Sequence, residues 1–323
     1  MHLLWEGVTK RFLSYLILKA KSGAKLRASD TNKISCLLKE FCIFIPREFA
    51  RQPRSLHYVA RWKATEYRLF LLYTGVIALK QVLSQELYDL FLLLHVATRI
   101  VSCEQLVEKQ TYVDFAEKLF AAFVEHCAHP TVFGPGFVSY NIYSLLHLCD
   151  DVRRYGVIEN FSGFPFENHL GVIKRLIRSG AKVLQQLARR LAERNYLYDF
   201  QQIPLTSWLP SGYNSITHEY KTLSNKNFTL STNLKDSFFF SNGNVAQVKK
   251  IIKSGNRIVL IADVCEDLHD FFENPIKSSK IGIWKLNSWT HRNVSISLET
   301  VYGKCIVLPF ENERIALKLL HTC

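Results

Sequence analysis

Residues 161–178 read FSGFPFENHLGVIKRLIR. A single carboxylate, Glu167, stands among Phe164, Pro165 and Phe166, and a helical pattern carrying Lys174, Arg175 and Arg178 follows it. An apolar collar would raise the pKa of such a carboxyl unless a cation compensated. A Glu in the first turn of a helix is also favoured by the helix dipole alone. The basic character continues: Pro165 to Asn195 holds seven basic residues, with Lys182, Arg189, Arg190 and Arg194 completing the set, against Glu167 and Glu193. Lys174, Arg178 and Lys182 recur every four residues and share one face if the helix continues past Gly180. Ile173, Leu176, Ile177, Val183, Leu184 and Leu187 supply the buried side. Such a face could neutralise phosphates, with affinity that depends on salt and little on sequence; a solvated helix surface gives the same pattern.

Two further stretches carry acids. In RWKATEYRLFLLY (61–73), Glu66 is flanked by Arg61, Lys63 and Arg68, which reads as a structural ion pair or as a second acid for Glu167. In YSLLHLCDDV (143–152), His147, Cys149, Asp150 and Asp151 have the chemistry of metal ligands. Helical spacing, however, puts His147 and Asp151 on one face and points Cys149 elsewhere. A Gly-rich phosphate loop, a nucleophile elbow and paired zinc cysteines are all missing from the sequence.

The composition fits these polyanion-directed readings. The chain has 323 residues, 48% hydrophobic and 21% charged, with a net charge of +13. Before residue 200 there are 27 basic and 18 acidic residues, and after it 14 and 10, so most of the excess is N-terminal. A basic balance favours nucleic acid or acidic lipid. Eight scattered cysteines without a C-x-x-C pair indicate reduced thiols in an intracellular protein. The two glycosylation-like matches at Asn227 and Asn293 then carry no weight. The opening MHLLWEGVTKRFLSYLILK is amphipathic and lacks the order of a signal peptide. The most apolar stretch, 87–101, is broken by Asp89, His95 and Arg99, so no membrane span is expected.

The elements that must position these residues are of two kinds. Residues 1–200 read as helix, from Leu3, Leu4, Val8 and Phe12 onward. A second helix starts at Ser29 or Asp30, and others cover about 61–81 (with Gly75 a kink), 85–102, 104–127, 139–154, 164–178 and 180–196. The basic connector PREFARQPRS lies between the second and third. Residues 201–227 read as a polar linker. Short β-branched and aromatic runs then make 228–323 a small antiparallel β module, a barrel or strongly bent sheet, with Asn242-Gly243 and Gly255-Asn256 as turns. The fold class is α+β. The many apolar helices pose a question of packing: either they form a self-sufficient bundle or they cover a sheet from elsewhere.

The order of IPREFARQPRSL, RWKATEYRLFLLYTG and YNIYSLLHLCDDVRRYGVIENFSGFPFENHLGVIKRLIR after MHLLWEGVTKRFL resembles the C-terminal half of a cut-and-paste transposase of the CACTA (En/Spm-like) group. The resemblance extends through KDSFFF and NPIKSSKIGI. It implies a partial ribonuclease-H-like core with a helical insertion, nuclear residence, DNA as partner and possible self-association. It also implies two Mg ions held by two Asp and one Glu. The third acid maps to Glu167, with Lys174, Arg175, Arg178, Lys182, Arg189 and Arg190 holding nearby DNA. In the family the second Asp lies just upstream of a Met-His pair, which here is Met1-His2. The chain therefore carries one of the three acids, and strand transfer by these residues alone is not expected. The family's second histidine, four residues before His147, is Tyr143 here, which weakens a zinc site at His147. Three readings follow: a DNA-binding transposase remnant, a fragment of an active enzyme, and a protein-interaction module built on the β region.

Overall fold

A computed structural model describes residues 2–18, 24–198, 208–255 and 257–320. A π-helical segment, His2–Thr9, runs into α1 (Lys10–Ile17), and Trp5, Val8, Phe12, Leu13 and Leu16 form its buried stripe. The next helix, α2 (Ala28–Glu40), begins slightly before the expected Ser29, and Asp30 sits in its first turn where the dipole favours an acid. The third segment is one rod of α3 (Ala64–Leu69), a π turn at Phe70–Thr74 and α4 (Gly75–Ala78). A Cβ on Gly75 would lie 2.7 Å from the Phe70 carbonyl and 2.8 Å from its ring. The helical irregularity expected at Gly75 is this π bulge, and only glycine fits there.

Helix α5 (Gln85–Val101) is the centre of the helical half, wrapped on nearly all sides. It packs on α7 (Gln110–Ala128), after the single turn α6 (Glu104–Val107). Short helices α8 (Tyr140–Tyr143) and α9 (Leu148–Tyr155) follow, and α10 (Phe164–Leu176) and α11 (Val183–Tyr198) complete this half. Among the described residues before 199 there is no strand.

The second half is antiparallel throughout. Its strands are β1 (Leu209–Asn214), β2 (Glu219–Ser224), β3 (Thr229–Ser231), β4 (Phe238–Ser241), β5 (Asn244–Ser254), β6 (Arg257–Cys265), β7 (Leu268–His269), β8 (Ile283–Leu286), β9 (His291–Ser297), β10 (Val301–Phe310) and β11 (Glu313–Lys318). Pairing runs β1-β2-β5-β4-β10-β11-β8-β7, with β6 and β9 branching from β5. Among the described residues no ladder closes this path into a barrel. Asn242 (φ 51°) and Gly243 (φ 83°) make the expected tight turn between β4 and β5.

The stretch read as a linker, 201–227, needs correction: β1 and β2 lie inside it, and the sheet begins at Leu209 and not at 228. Five of the six β1 residues are exposed, so no apolar alternation marks it as a strand. Residues 201–207 of that stretch lie outside the described residues.

The packing question resolves within the chain. One continuous core runs from Trp5, Phe91 and Phe123 of the helices to Phe271, Ile283, Ile306, Leu308, Ile315 and Leu317 of the sheet. The sheet therefore covers part of the helical half. Two buried polar contacts cross the same boundary. Arg99, fully buried, donates to the carbonyls of Leu72 (2.9 Å), Ile281 (3.0 Å) and Lys318 (3.2 Å), and burial lowers its pKa to about 10. Lys304 donates to Glu48 and Asp236, both at 2.7 Å, and Arg47 reaches Asp236 at 2.9 Å. Part of the basic connector thus fastens the two halves together.

Candidate nucleic-acid interface

The approach to α10 is set by local constraints. Gly156, at φ 81°, ends α9. The buried Ser162 hydroxyl then accepts from the Phe164 backbone N–H at 3.3 Å, and Pro165 occupies the first turn of α10, where its missing N–H costs nothing. Phe164 is half-buried beneath the Arg68 guanidinium, 4.4 Å from its ring, and Arg68 pairs with Glu159 at 3.2 Å. The WKATEYR and FPFEN stretches, far apart in sequence, therefore touch.

Beyond Phe164 the helix leaves the body. No residue of α10 is buried, and Phe166 and Leu170 are largely exposed. The apolar collar expected around Glu167 does not form. Phe164 turns to Arg68, and Pro165, Phe166 and Glu167 all face water. Helix α10 packs on α11, giving a projecting hairpin.

The expected continuous basic face is also corrected. Helix α10 stops at Leu176, Ile177 is extended, and Lys182 has φ 52°, so Lys174, Arg178 and Lys182 do not share one helix. Gln186 organises the turn instead: it accepts from the Arg178 N–H at 3.1 Å and donates to the Ser179 hydroxyl at 2.8 Å. Lys174, Arg175, Arg178 and Lys182 are exposed on one arm and at the tip. On the other arm Arg189 and Arg190 both pair with Glu193, at 3.1 and 3.2 Å. These exposed pairs are worth little and leave both guanidinium groups open to phosphate. The six residues thus lie on two helices and the turn between them, and not along one helical face.

The other candidates fall into structural roles. Glu66 is buried and bound by Arg54, whose second nitrogen lies 2.8 Å from it, while the Lys63 N–H donates to it at 2.8 Å. Its partner is Arg54 and not the flanking cations. Cys149 is buried, and burial pushes its thiol up to about 12. His147 is exposed, edge-on to Tyr143 at 5.6 Å, and Asp150 pairs with Arg153 at 3.0 Å. Among the described residues no group of three or more His, Cys, Asp or Glu side chains is placed to hold a metal ion.

A cavity of about 210 Å³ lies at the root of the hairpin, lined by Leu3, Leu4 and Trp5, by Asp151 of α9, and by Phe161 and Ser162. It brings the first segment of the sequence beside the strap that leads to Glu167. Nothing in the first 198 residues signalled this meeting, since each lining stretch reads as ordinary helix or loop.

A family model described as a domain of unknown function (DUF8592) matches residues 206–319, which span β1 to β11. No curated protein and no solved structure matches the chain. Among the described residues no helix is long and apolar enough to cross a membrane.

Proposed function

We propose that this chain is a DNA-binding remnant of a CACTA-type DDE transposase, without strand-transfer activity of its own. The observation that carries this reading is the α10–α11 hairpin. It projects from the body with no buried residue in α10, exposes Lys174, Arg175, Arg178 and Lys182, and holds Glu167 at its base. A cationic arm of this kind gains affinity from counterion release at the phosphate backbone. The family's chemistry uses two divalent ions held by three acids. Glu167 would supply one of those three acids.

The cavity at the hairpin root favours a second reading, a fragment of an active enzyme. The family places its second Asp immediately before the Met-His pair, and Leu3 and Leu4 share that cavity with Phe161 and Ser162. An acid entering there would approach the strap that leads to Glu167. The two readings share ancestry, nuclear residence and DNA as partner, and differ in whether further sequence completes the site.

The test is a duplex-binding titration together with a nicking assay on supercoiled DNA, each with and without magnesium. The remnant reading expects binding unaffected by magnesium and no nicking. Magnesium-dependent nicking abolished by Glu167→Gln would overturn it.

A further inference from the structure

The β module has its own basic tip. Residues 209–257 contain seven Lys and Arg against two acids, whereas 258–320 contain seven against eight. The module's net positive charge therefore comes from residues 209–257. Two hairpin ends meet there: Glu219 of β2 is in register with Ile252 of β5, and the Lys253 N–H donates to the His218 carbonyl at 3.4 Å. This sets the β1–β2 turn (214–218) beside the end of the β5–β6 hairpin.

The side chains at this double tip are of the kinds that read nucleic acid. Ile216 is 89% exposed at the summit of the first turn, between Ser215 and Thr217. Tyr213 is about half exposed, with its ring 5.0 Å from that of Tyr220 and its hydroxyl hydrogen-bonded to His218 Nδ1 at 2.9 Å. That bond holds the ring in place, and a fixed ring loses little entropy on stacking. Around them Lys221, Lys253 and Arg257 are exposed and have no carboxylate partner among the described residues, whereas Lys250 is held by Glu219 at 2.8 Å. The summit does not need its apolar residue for folding. Ile216 lies outside the sheet's cores, and the Asn214 carboxamide, accepting from its N–H at 2.9 Å, shapes the turn.

We infer that this double tip is a second DNA-binding site, in which Lys221, Lys253 and Arg257 contact phosphates while Tyr213 and Ile216 enter a groove of the duplex. A two-stranded ribbon fits a major groove about 12 Å wide, where apolar side chains can meet the thymine methyl group, and aromatic rings such as that of Tyr213 stack on bases that open. Charge complementarity favours DNA over a neutral protein surface. A lipid surface fits less well, because a single aliphatic residue among Asn214, Ser215 and Thr217 offers little to bury in acyl chains. The site stands apart from the α10–α11 hairpin and does not depend on that hairpin's reading.

The experiment uses the full chain, a labelled random-sequence duplex and a range of salt concentrations. The triple variant Lys221→Gln, Lys253→Gln, Arg257→Gln should flatten the salt dependence by roughly 2 to 3 in log–log slope, at about 0.9 per lost phosphate contact. The pair Tyr213→Ser, Ile216→Ser should keep the slope and weaken binding by roughly tenfold, as expected for one lost stacking contact. Photocross-linking of the unaltered chain to bromodeoxyuridine-substituted duplex should map to the peptide containing Tyr213. Unchanged affinity and slope in both variants, with cross-links elsewhere, would overturn the inference. So would loss of binding to phosphatidylserine vesicles in the tip variants while duplex binding stayed intact. A parallel variant with Lys174, Arg175, Arg178 and Lys182 changed to Gln separates the two sites: loss there alone supports the helical hairpin and contradicts the tip.

Discussion

Lys304 Nζ lies 2.7 Å from Asp236 Oδ1, with both side chains wholly excluded from water. Glu48 closes the group from the helical half, 2.7 Å from the same nitrogen, and Arg47 binds the other Asp236 oxygen. Burial pushes the Asp236 carboxyl up, but its hydrogen bond to Lys304, the Lys304 charge and Arg47 outweigh that and hold it below its usual range. The helical and β halves are therefore joined by a satisfied ionic cluster as well as by a shared core.

Changing Asp236 leaves Lys304 with Glu48 as its remaining carboxylate and removes the carboxylate acceptor of Arg47. Asp236→Asn is expected to lower unfolding free energy by about 1–3 kcal/mol at neutral pH, measured by denaturant titration. The folded pKa is depressed, so this contribution is complete above about pH 4 and falls as pH drops through the folded value. The gap between Asp236→Asn and the unaltered chain should narrow below that point. A variant within about 0.5 kcal/mol of the parent at neutral pH, the usual range for surface changes, would show that the cluster adds nothing.

A separate pH window belongs to His95. It is fully buried, its Nδ1–H donates to the Leu71 carbonyl at 2.6 Å, and burial followed by the Arg99 charge lowers its pKa to about 3. The unfolded chain binds this proton near pH 6.5 and the folded chain does not. Stability is therefore fully present above about 6.5 and declines as pH falls, by up to about 1.4 kcal/mol per pH unit. His95→Phe should flatten the unfolding free energy between about pH 6.5 and pH 4.5. An unchanged slope in that variant would assign the acid sensitivity elsewhere.

The β module is expected not to fold alone. Ile283, Ile306, Leu308, Ile315 and Leu317 belong to the core shared with the helices, and Arg99 holds three carbonyls of the module's segments or their neighbour on α4's rod. A chain of residues 206–320 would expose that apolar face. Circular dichroism with dye binding should report a loosely packed state. A cooperative transition in the isolated module would instead support the protein-interaction reading.

Much of the architecture was legible because it rests on local rules. Helical periodicity marked the elements of the first half, and Asn242-Gly243 marked a hairpin whose positive φ angles the structure shows. The failures have physical causes. Strand β1 is nearly all exposed, so nothing alternates along it. The break between α10 and α11 includes a left-handed Lys182, a conformation that lysine does not advertise. The collar expected at Glu167 is absent because sequence neighbours need not be spatial ones, and Arg68 draws Phe164 away. Glu48 and Lys304 meet across 256 residues, and pairings at that separation leave no local trace.

The proposed binding of DNA by the cations of the α10–α11 hairpin is tested most directly by titrating a duplex with the full chain at two salt concentrations, alongside a variant with Lys174, Arg175, Arg178, Lys182, Arg189 and Arg190 changed to Gln. Binding in the parent chain should weaken steeply with salt, and the variant should show a log–log slope smaller by several units, at about 0.9 per phosphate contact removed. Equal affinity and equal slope in parent and variant would contradict it.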